Sequence, residues 1–201
     1  MPCDAVGSKL LTGCICYNLS KNEDLLLKIQ PWQKLTETEV FASFRRILRK
    51  TFVLPNGTAV DFEIKQEPHA ACVLALTPRD TVLLVQQFRP GPEAILLELP
   101  GGAVDPGEEP VQAAARELLE ETGYRGELEL AGSSWQCAYS TMRKHHFVAR
   151  NCVKVQEPAL DDHEFIEVVE MPLADFKQHV RSGNLTDVEG AYMGLDKLQL
   201  L

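Results

Sequence analysis

Glutamates and an arginine stand at fixed distances across a glycine-led loop and the segment after it, residues 99–126. On a helix, Glu117 and Glu121 lie four residues apart and project from one face, with Glu120 beside them. Arg116 lies four residues before Glu120, where it can hold that carboxylate in place. Clustered carboxylates repel one another unless a cation lies among them, and hard divalent cations prefer oxygen ligands. The pattern therefore favours a metal-binding cluster over an ordinary solvated helix face.

The helix that must carry these side chains is marked at both ends. Pro110 suits the first helical turn and Gly123 is placed to end the helix, which predicts a helix over residues 110–122. The Gly101-Gly102 loop brings backbone close to this helix, and Glu108 lies just before its start. A second, mostly apolar stripe can pack on a sheet; it consists of Val111, Ala114, Ala115, Leu118 and Thr122.

The segments around the helix read mainly as strands. Residues 45–54 and 59–66 are predicted to pair across the turn Pro55-Asn56-Gly57. Further strands are expected at 70–77, 81–88, 94–100, 127–137, 145–155 and 164–170, and helices at 172–183 and 186–200. The last helix opens with Thr186-x-x-Glu189, which predicts a capping box. Residues 1–42 give no clear element. The expected fold class is mixed α/β with a largely non-parallel sheet.

Composition narrows the function classes. The chain has 201 residues, 45% hydrophobic and 24% charged, which is globular composition. A net charge of −9 argues against a nucleic-acid backbone as partner. A small anionic substrate is still compatible with this charge, because a bound divalent cation can reverse the local electrostatic field. No apolar run reaches the roughly 20 residues of a membrane span, so no membrane partner is expected. The short apolar stretch at 10–17 and the scattered cysteines favour a cytoplasmic protein with reduced thiols.

The spacing matches a known motif. Every fixed position of the Nudix box is present, as Gly102, Glu108, Arg116-Glu117-Leu118, Glu120-Glu121 and Gly123-Tyr124. The chain thus resembles the Nudix hydrolases, which cleave a nucleoside diphosphate linked to another group by using Mg²⁺ or Mn²⁺. The resemblance implies a Nudix-type α/β/α sandwich with a mixed sheet, preceded by a small N-terminal β-rich segment. It divides the chain into an N-terminal segment with a β-hairpin at 1–65, expected to dimerise, and a hydrolase domain at 66–201.

The resemblance also implies roles within the box. Glu117 and Glu121 are the main metal ligands, with Glu120 close by and the Gly101 carbonyl as an additional ligand. The catalytic residues are then Glu117, Glu120, Glu121 and Arg116, with Arg116 fixing Glu120. Gly102 shapes the substrate-binding loop. Glu108 either orients the loop or binds an outer metal.

Similarity outside the box points to a branch. The stretch "LVQQFRPG…LLELPGGAVDPGEE" resembles ADP-ribose pyrophosphatases and related nucleotide-sugar hydrolases. In that branch Arg89 would bind substrate phosphate, the alternative being a surface ion pair, and Glu98 would face the site. Such enzymes are usually homodimers in which N-terminal strands help build the partner's site. Trp32 or Phe41 would then stack on an adenine, unless each belongs to the core.

One loop departs from that branch. A Ser-Pro-Gly-like loop followed by an acidic residue is common there, whereas this chain has Cys137-Ala138 and then Met142. A thioether cannot act as a general base and is a poor ligand for Mg²⁺, so the base must lie elsewhere. The glutamates of the box are the nearest candidates, Glu120 above all, and Glu164 in a later segment is a more distant one. The basic cluster of Arg143, Lys144 and His146 either meets phosphate or is simply solvated.

The function expected is metal-dependent hydrolysis of ADP-ribose or a similar nucleoside diphosphate sugar, giving a nucleoside monophosphate and a sugar phosphate. The alternatives are a Nudix hydrolase of dinucleotides or nucleoside triphosphates, and a binding protein that senses a nucleotide sugar without cleaving it. Turnover with Mg²⁺ would separate the enzymes from the binding protein.

Overall fold

The computed structural model describes residues 30–161 and 163–201. The inferences on residues 1–29, including Cys3, Cys14, Cys16 and the apolar stretch 10–17, lie outside the described residues. The strands are β1 (Gln33–Ala42), β2 (Arg46–Val53), β3 (Ala59–Gln66), β4 (Ala70–Leu76), β5 (Thr81–Arg89), β6 (Ala94–Glu98), β7 (Gly101–Ala103), β8 (Tyr124–Trp135), β9 (Arg143–Lys154) and β10 (Glu167–Pro172). The helices are α1 (Pro110–Thr122), α2 (Leu173–Ser182) and α3 (Val188–Lys197).

A three-stranded antiparallel sheet precedes the main domain, in the order β1-β2-β3. The β2–β3 pair confirms the predicted hairpin, and its turn contains Gly57 at φ 83°. The strand β1 falls within residues 1–42, for which the sequence predicts no clear element. All ten of its residues are exposed, so it has no buried face to produce the alternating pattern by which strands are recognised. Its pairing with β2 holds it in place.

The main sheet is mixed, as predicted. Its order is β10-β5-β4-β9-β8, with β6 added to β5 and β7 added to β4. The β4–β9 pair is parallel and the other pairs are antiparallel. The strands β4 and β5 pair with each other over two positions only, Ala75–Leu83 and Leu76–Val82. Beyond that point β5 pairs with β6 and β4 pairs with β7, so the sheet divides where the chain runs from Glu98 into the Gly101-Gly102 loop.

Helices cover both faces of the main sheet, which confirms the α/β/α sandwich. One core layer lies under α1, where Ala113, Ala114 and Leu118 pack with alternate residues of β4 and β9. The other layer lies under α2 and α3 and includes Phe176 and Leu195. Each large apolar side chain buried in this way contributes roughly 1.5–3 kcal/mol. No helix among residues 30–161 and 163–201 is long and apolar enough to cross a membrane.

The ends of α1 follow the predicted signals, whereas those of α3 do not. Pro110 opens α1, and Gly123 ends it in the left-handed region at φ 77°, its N–H donating to the Leu119 carbonyl. The predicted capping box at α3 is wrong. Asp187 occupies the N-cap position, and the Thr186 hydroxyl donates instead to the carboxylate of Glu98.

Backbone and side-chain contacts join the N-terminal sheet to the loop between β8 and β9. The Lys65 N–H donates to the Tyr139 carbonyl at 2.9 Å, and the Thr141 N–H donates to the Lys65 carbonyl at 3.0 Å. Glu67, only 8% exposed, accepts hydrogen bonds from Ser140 Oγ at 2.7 Å and Arg45 Nη1 at 2.9 Å. Residues 30–67 are thereby fastened to residues 139–141.

Candidate active site

Arg116 is the centre of the charged cluster on α1. Its Nε and Nη2 atoms donate to the two carboxylate oxygens of Glu108 at 3.1 and 3.0 Å. Nη1 donates to Glu117 at 2.8 Å and to Glu120 at 3.1 Å, so the predicted contact with Glu120 is present. Nη2 also donates to the Ala103 carbonyl at 3.0 Å. One guanidinium therefore contacts three carboxylates, one from the loop before the helix and two from the helix, and fixes their relative positions.

Glu117 and Glu121 lie at the inner side of this cluster. Glu121 is only 4% exposed, and its carboxylate accepts a hydrogen bond from the Gly101 N–H at 2.7 Å. Burial raises the pKa of Glu121 to about 8; the Gly101 hydrogen bond opposes this rise, while the charges of Glu117 and Glu164 add to it. Burial also raises the pKa of Glu117, against the lowering effect of Arg116. In the protein alone, the ionised forms of both carboxylates are therefore disfavoured.

Two glycines make this arrangement possible. A Cβ on Gly102 would overlap the Glu117 carboxylate, with the carboxyl carbon at 2.6 Å. A Cβ on Gly101 would overlap the Ala71 carbonyl of β4. The loop therefore needs side-chain-free positions where it passes between strand β4 and the glutamates of α1.

The donor set fits a hard divalent cation. Carboxylate and carbonyl oxygens are the ligands such ions take. The pKa values of Glu117 and Glu121 are raised chiefly by burial and further by neighbouring carboxylates, and a cation would stabilise the ionised form of both groups. Glu120 lies at the rim with its side chain 43% exposed. Across residues 30–161 and 163–201, no three His, Cys, Asp or Glu side chains already converge as a metal-ligand group. A site here would therefore combine the Glu117 and Glu121 carboxylates with backbone carbonyl and water oxygens.

Arg89 and Glu98 form an ion pair beside the cluster. Glu98 is fully buried, and its Oε2 accepts from Arg89 Nε. The Arg89 side chain is 37% exposed, and its positive charge lowers the pKa of Glu121 against the larger effect of burial. Both predicted residues are thus brought to the site. Of the two, only Arg89 is partly exposed, whereas Glu98 is buried beneath it.

A loop after β9 brings Glu164 towards the same carboxylates. The Val155 N–H donates to the Gly123 carbonyl at 2.9 Å, and the Ala159 N–H donates to the Glu120 carbonyl at 2.8 Å. These bonds dock the loop on the C-terminal end of α1. The exposed Glu164 then contributes its charge to the raised pKa values of both Glu117 and Glu121. Nothing in the local sequence indicates this, since backbone contacts hold the loop.

The basic cluster near β9 has partners within the protein. Lys144 pairs with Asp187 at 2.7 Å and Glu189 at 2.6 Å. His146 is fully buried and lies within hydrogen-bond distance of Cys72 Sγ and Ser134 Oγ. Their neighbour Arg143 donates to Ser133 Oγ at 2.6 Å and lies 4.7 Å from the centre of the Trp135 ring.

In the loop that departs from the expected pattern, residues 136–139 are exposed and Met142 is half-buried. The Met142 N–H donates to Ser140 Oγ at 3.0 Å, and its carbonyl accepts from the Gln136 N–H at 3.2 Å. These two bonds close the loop between β8 and β9. Met142 therefore supports the loop through its backbone.

An aromatic cavity of about 530 Å³ lies where the N-terminal sheet meets this loop. Trp32 packs against Phe62 with ring centres 5.7 Å apart, and both line the cavity. Trp135 and Tyr139 line it from the loop side. Phe41 is 54% exposed on β1 and is not among the lining residues. Of the two predicted stacking residues, Trp32 is the one placed at a cavity.

Comparisons with known proteins agree with this geometry. A family model for the NUDIX domain matches residues 66–187. The ADP-ribose pyrophosphatase of Bacillus subtilis (strain 168) is 37% identical over 150 residues, covering 73% of this chain and 80% of that protein. The methanol dehydrogenase activator of Bacillus methanolicus is 33% identical over 141 residues, 67% of this chain and 74% of that protein.

A solved structure described as an ADP compounds hydrolase superposes with a TM-score of 0.71, covering 86% of this chain and 98% of that chain. Its 22% sequence identity makes it evidence for the fold alone. The matched residues 66–187 contain the divided sheet, the glycine loop and the carboxylates gathered around Arg116. With both the domain and its acidic cluster in place, the chain belongs to the Nudix family and is a Nudix hydrolase.

Proposed function

We propose that this protein hydrolyses the diphosphate bond of ADP-ribose or a similar nucleoside diphosphate sugar, giving a nucleoside monophosphate and a sugar phosphate. The observation that carries the proposal is the pair of buried carboxylates, Glu117 and Glu121, against the Gly101-Gly102 loop with Arg89 beside them. The relative from Bacillus subtilis that bears the name ADP-ribose pyrophosphatase supports the choice of substrate class.

Glu117 and Glu121 would hold the metal ion, which we propose to be Mg²⁺ or Mn²⁺, with Glu120 and the Gly101 carbonyl as further ligands. When bound, such an ion neutralises the diphosphate and helps to generate a nucleophilic water. Arg116 keeps the carboxylates in register, and Gly102 leaves room for Glu117.

Arg89 would donate charge-assisted hydrogen bonds to a phosphate oxygen. The base that takes the proton from water is then either Glu120 or Glu164. One oxygen of Glu120 already accepts from Arg116, whereas the Glu164 carboxylate accepts only a backbone bond, from the Asp161 N–H at 3.2 Å, among the described residues. This difference favours Glu164.

We further propose that the protein is a homodimer built through its N-terminal segment, residues 1–65, with the hydrolase domain at 66–201. Every residue of β1 is exposed, and Leu35, Val40 and Phe41 on it are between 42% and 54% exposed. A strand that exposes large apolar side chains in this way is suited to an interface. The aromatic cavity beside Trp32 is suited to a nucleobase. The free thiols Cys72, Cys137 and Cys152 support a reducing compartment, such as the cytoplasm.

The test is turnover of a substrate panel with Mg²⁺: ADP-ribose, other nucleotide sugars, dinucleotides and nucleoside triphosphates, with products identified by chromatography. AMP and ribose phosphate from ADP-ribose, at a higher kcat/KM than for dinucleotides or triphosphates, is the expected result. Preference for a dinucleotide or triphosphate would overturn the substrate class. Tight binding of ADP-ribose without turnover would indicate a sensor instead of an enzyme.

A further inference from the structure

We propose that Thr186, just before α3, is a positioning residue that fixes the substrate arginine Arg89 through the buried carboxylate of Glu98. The inference rests on the proposed function, in which Arg89 binds the diphosphate. It adds a residue outside the Nudix box, 88 positions from Glu98 in sequence, to the parts that set substrate affinity.

Glu98 connects the two residues. It is fully buried at the end of β6, and each of its carboxylate oxygens has its own donors. Oε2 accepts from Arg89 Nε, while Oε1 accepts from the Thr186 hydroxyl and from the Thr186 N–H at 3.2 Å. A buried carboxylate needs donors at both oxygens to remain charged and fixed. The Thr186 hydroxyl therefore helps to set the orientation of the carboxylate that Arg89 contacts.

Arg89 is held on one side only. Glu98 engages its Nε, and no hydrogen bond joins its Nη1 or Nη2 atom to another residue among those described. Fixing Nε fixes the plane of the guanidinium, so the two remaining nitrogens keep a constant direction. An arginine presented in this way is suited to bidentate recognition of a phosphate. Its direction then depends on the carboxylate behind it.

Thr186 can hold Glu98 in place because contacts with Lys144 fix the start of α3. Lys144 Nζ contacts the Thr186 carbonyl at 3.3 Å and pairs with Asp187. One turn later the helix approaches β4 and β9 so closely that a Cβ on Gly190 would lie 2.6 Å from His146 Nδ1. These contacts leave little freedom for the segment that carries the Thr186 hydroxyl.

The experiment replaces the Thr186 hydroxyl, which bonds to Glu98 and lies 3.4 Å from Asp187 Oδ2, by a methyl group of similar size. Thr186→Val is expected to raise the KM for ADP-ribose about tenfold, the low end of the cost of losing a hydrogen bond to a charged group. We expect kcat to change by less than about twofold, since that bond serves substrate binding rather than the chemical step. Thr186→Ser keeps the hydroxyl and should restore the KM. The control is Thr77→Val, which removes a hydroxyl bonded to Thr81 at the far end of β4 and should leave the KM unchanged.

A double-mutant cycle with Arg89→Ala shows whether Thr186 acts through the arginine. The expected result is that Thr186→Val raises the KM in the wild-type background and has no further effect once Arg89 is alanine. An equal effect in both backgrounds, or no effect in the wild type, would overturn the positioning role. Thr186→Ala, which also lacks the hydroxyl, replaces Thr186→Val in the cycle if that variant does not fold. If Arg89→Ala alone leaves the KM unchanged, the role of Arg89 in the proposed function fails, a separate outcome.

Discussion

Adding a single methyl group to the loop, by Gly102→Ala, tests whether the Glu117 carboxylate has to lie against the backbone there. The new Cβ would lie 2.6 Å from the carboxyl carbon of Glu117, whereas ordinary contacts begin near 3.4 Å. The Oε1 oxygen of Glu117 would lie closer still, so the carboxylate must retreat by at least about 0.8 Å. Misplacement of about 1 Å at a catalytic site costs on the order of 100-fold in rate. We expect kcat/KM for ADP-ribose to fall by about that factor.

The fold should survive the substitution, because the group displaced is the end of a flexible side chain rather than the backbone. The assay combines kcat/KM over a range of Mg²⁺ concentrations, Mn²⁺ affinity by electron paramagnetic resonance, and thermal unfolding. Gly91→Ala is the matched control, because a Cβ there meets nothing within 4 Å. If Gly102→Ala matched the control in kcat/KM and Mn²⁺ affinity, the requirement for Glu117 beside the loop would be refuted.

Three further substitutions address the other roles. Glu121→Gln keeps an acceptor for the Gly101 N–H but cannot carry the negative charge that a metal ligand needs, so Mn²⁺ affinity and kcat/KM should both fall by at least about tenfold. Normal turnover in limiting Mg²⁺ would exclude Glu121 as a ligand. Arg89→Ala should raise the KM about tenfold to a hundredfold, from loss of roughly 1.5–3 kcal/mol in a charge-assisted bond, and calorimetric ADP-ribose binding should weaken in parallel. Glu164→Gln should lower kcat by about 100-fold or more, as expected for a general base, and a larger loss in Glu120→Gln under the same single-turnover assay would reverse the assignment.

The acidic cluster could be predicted because its geometry is local. Residues three and four apart on a helix are neighbours whatever the rest of the fold does, so Arg116 and Glu120 meet as their spacing indicates. The limits of α1 were equally local, set by Pro110 and by Gly123 in the left-handed region. The contact of Glu108 with Arg116 is not local in this sense. Eight residues before Arg116, Glu108 takes two bonds from the guanidinium only because the loop folds back over the helix.

The start of α3 and the strand β1 depend on contacts between residues that are far apart in the chain, which local sequence patterns do not indicate. Thr186 and Glu189 have capping-box spacing, yet a buried carboxylate from β6 takes the Thr186 hydroxyl and Lys144 takes Glu189. Desolvated Glu98 gains more from a hydroxyl donor than an exposed helix end would, because its charge has no water to solvate it. Local propensity carries no information about such a competitor. The strand β1 was missed for a related reason, since its place depends on a neighbour rather than on a face of its own.

The bonds between the N-terminal sheet and residues 139–141 restrict how this protein can be recombined with its relatives. Glu67 draws one donor from the loop, Ser140, and another from the N-terminal segment, Arg45, so a chimera joined at residue 66 would separate partners that share one largely buried carboxylate. In such a chimera, the aromatic side chains from the N-terminal sheet and those from the loop would come from different proteins, and they would no longer fit together around the cavity. A transplanted N-terminal sheet therefore has to travel together with the β8–β9 loop, and the two are expected to vary as one inherited unit.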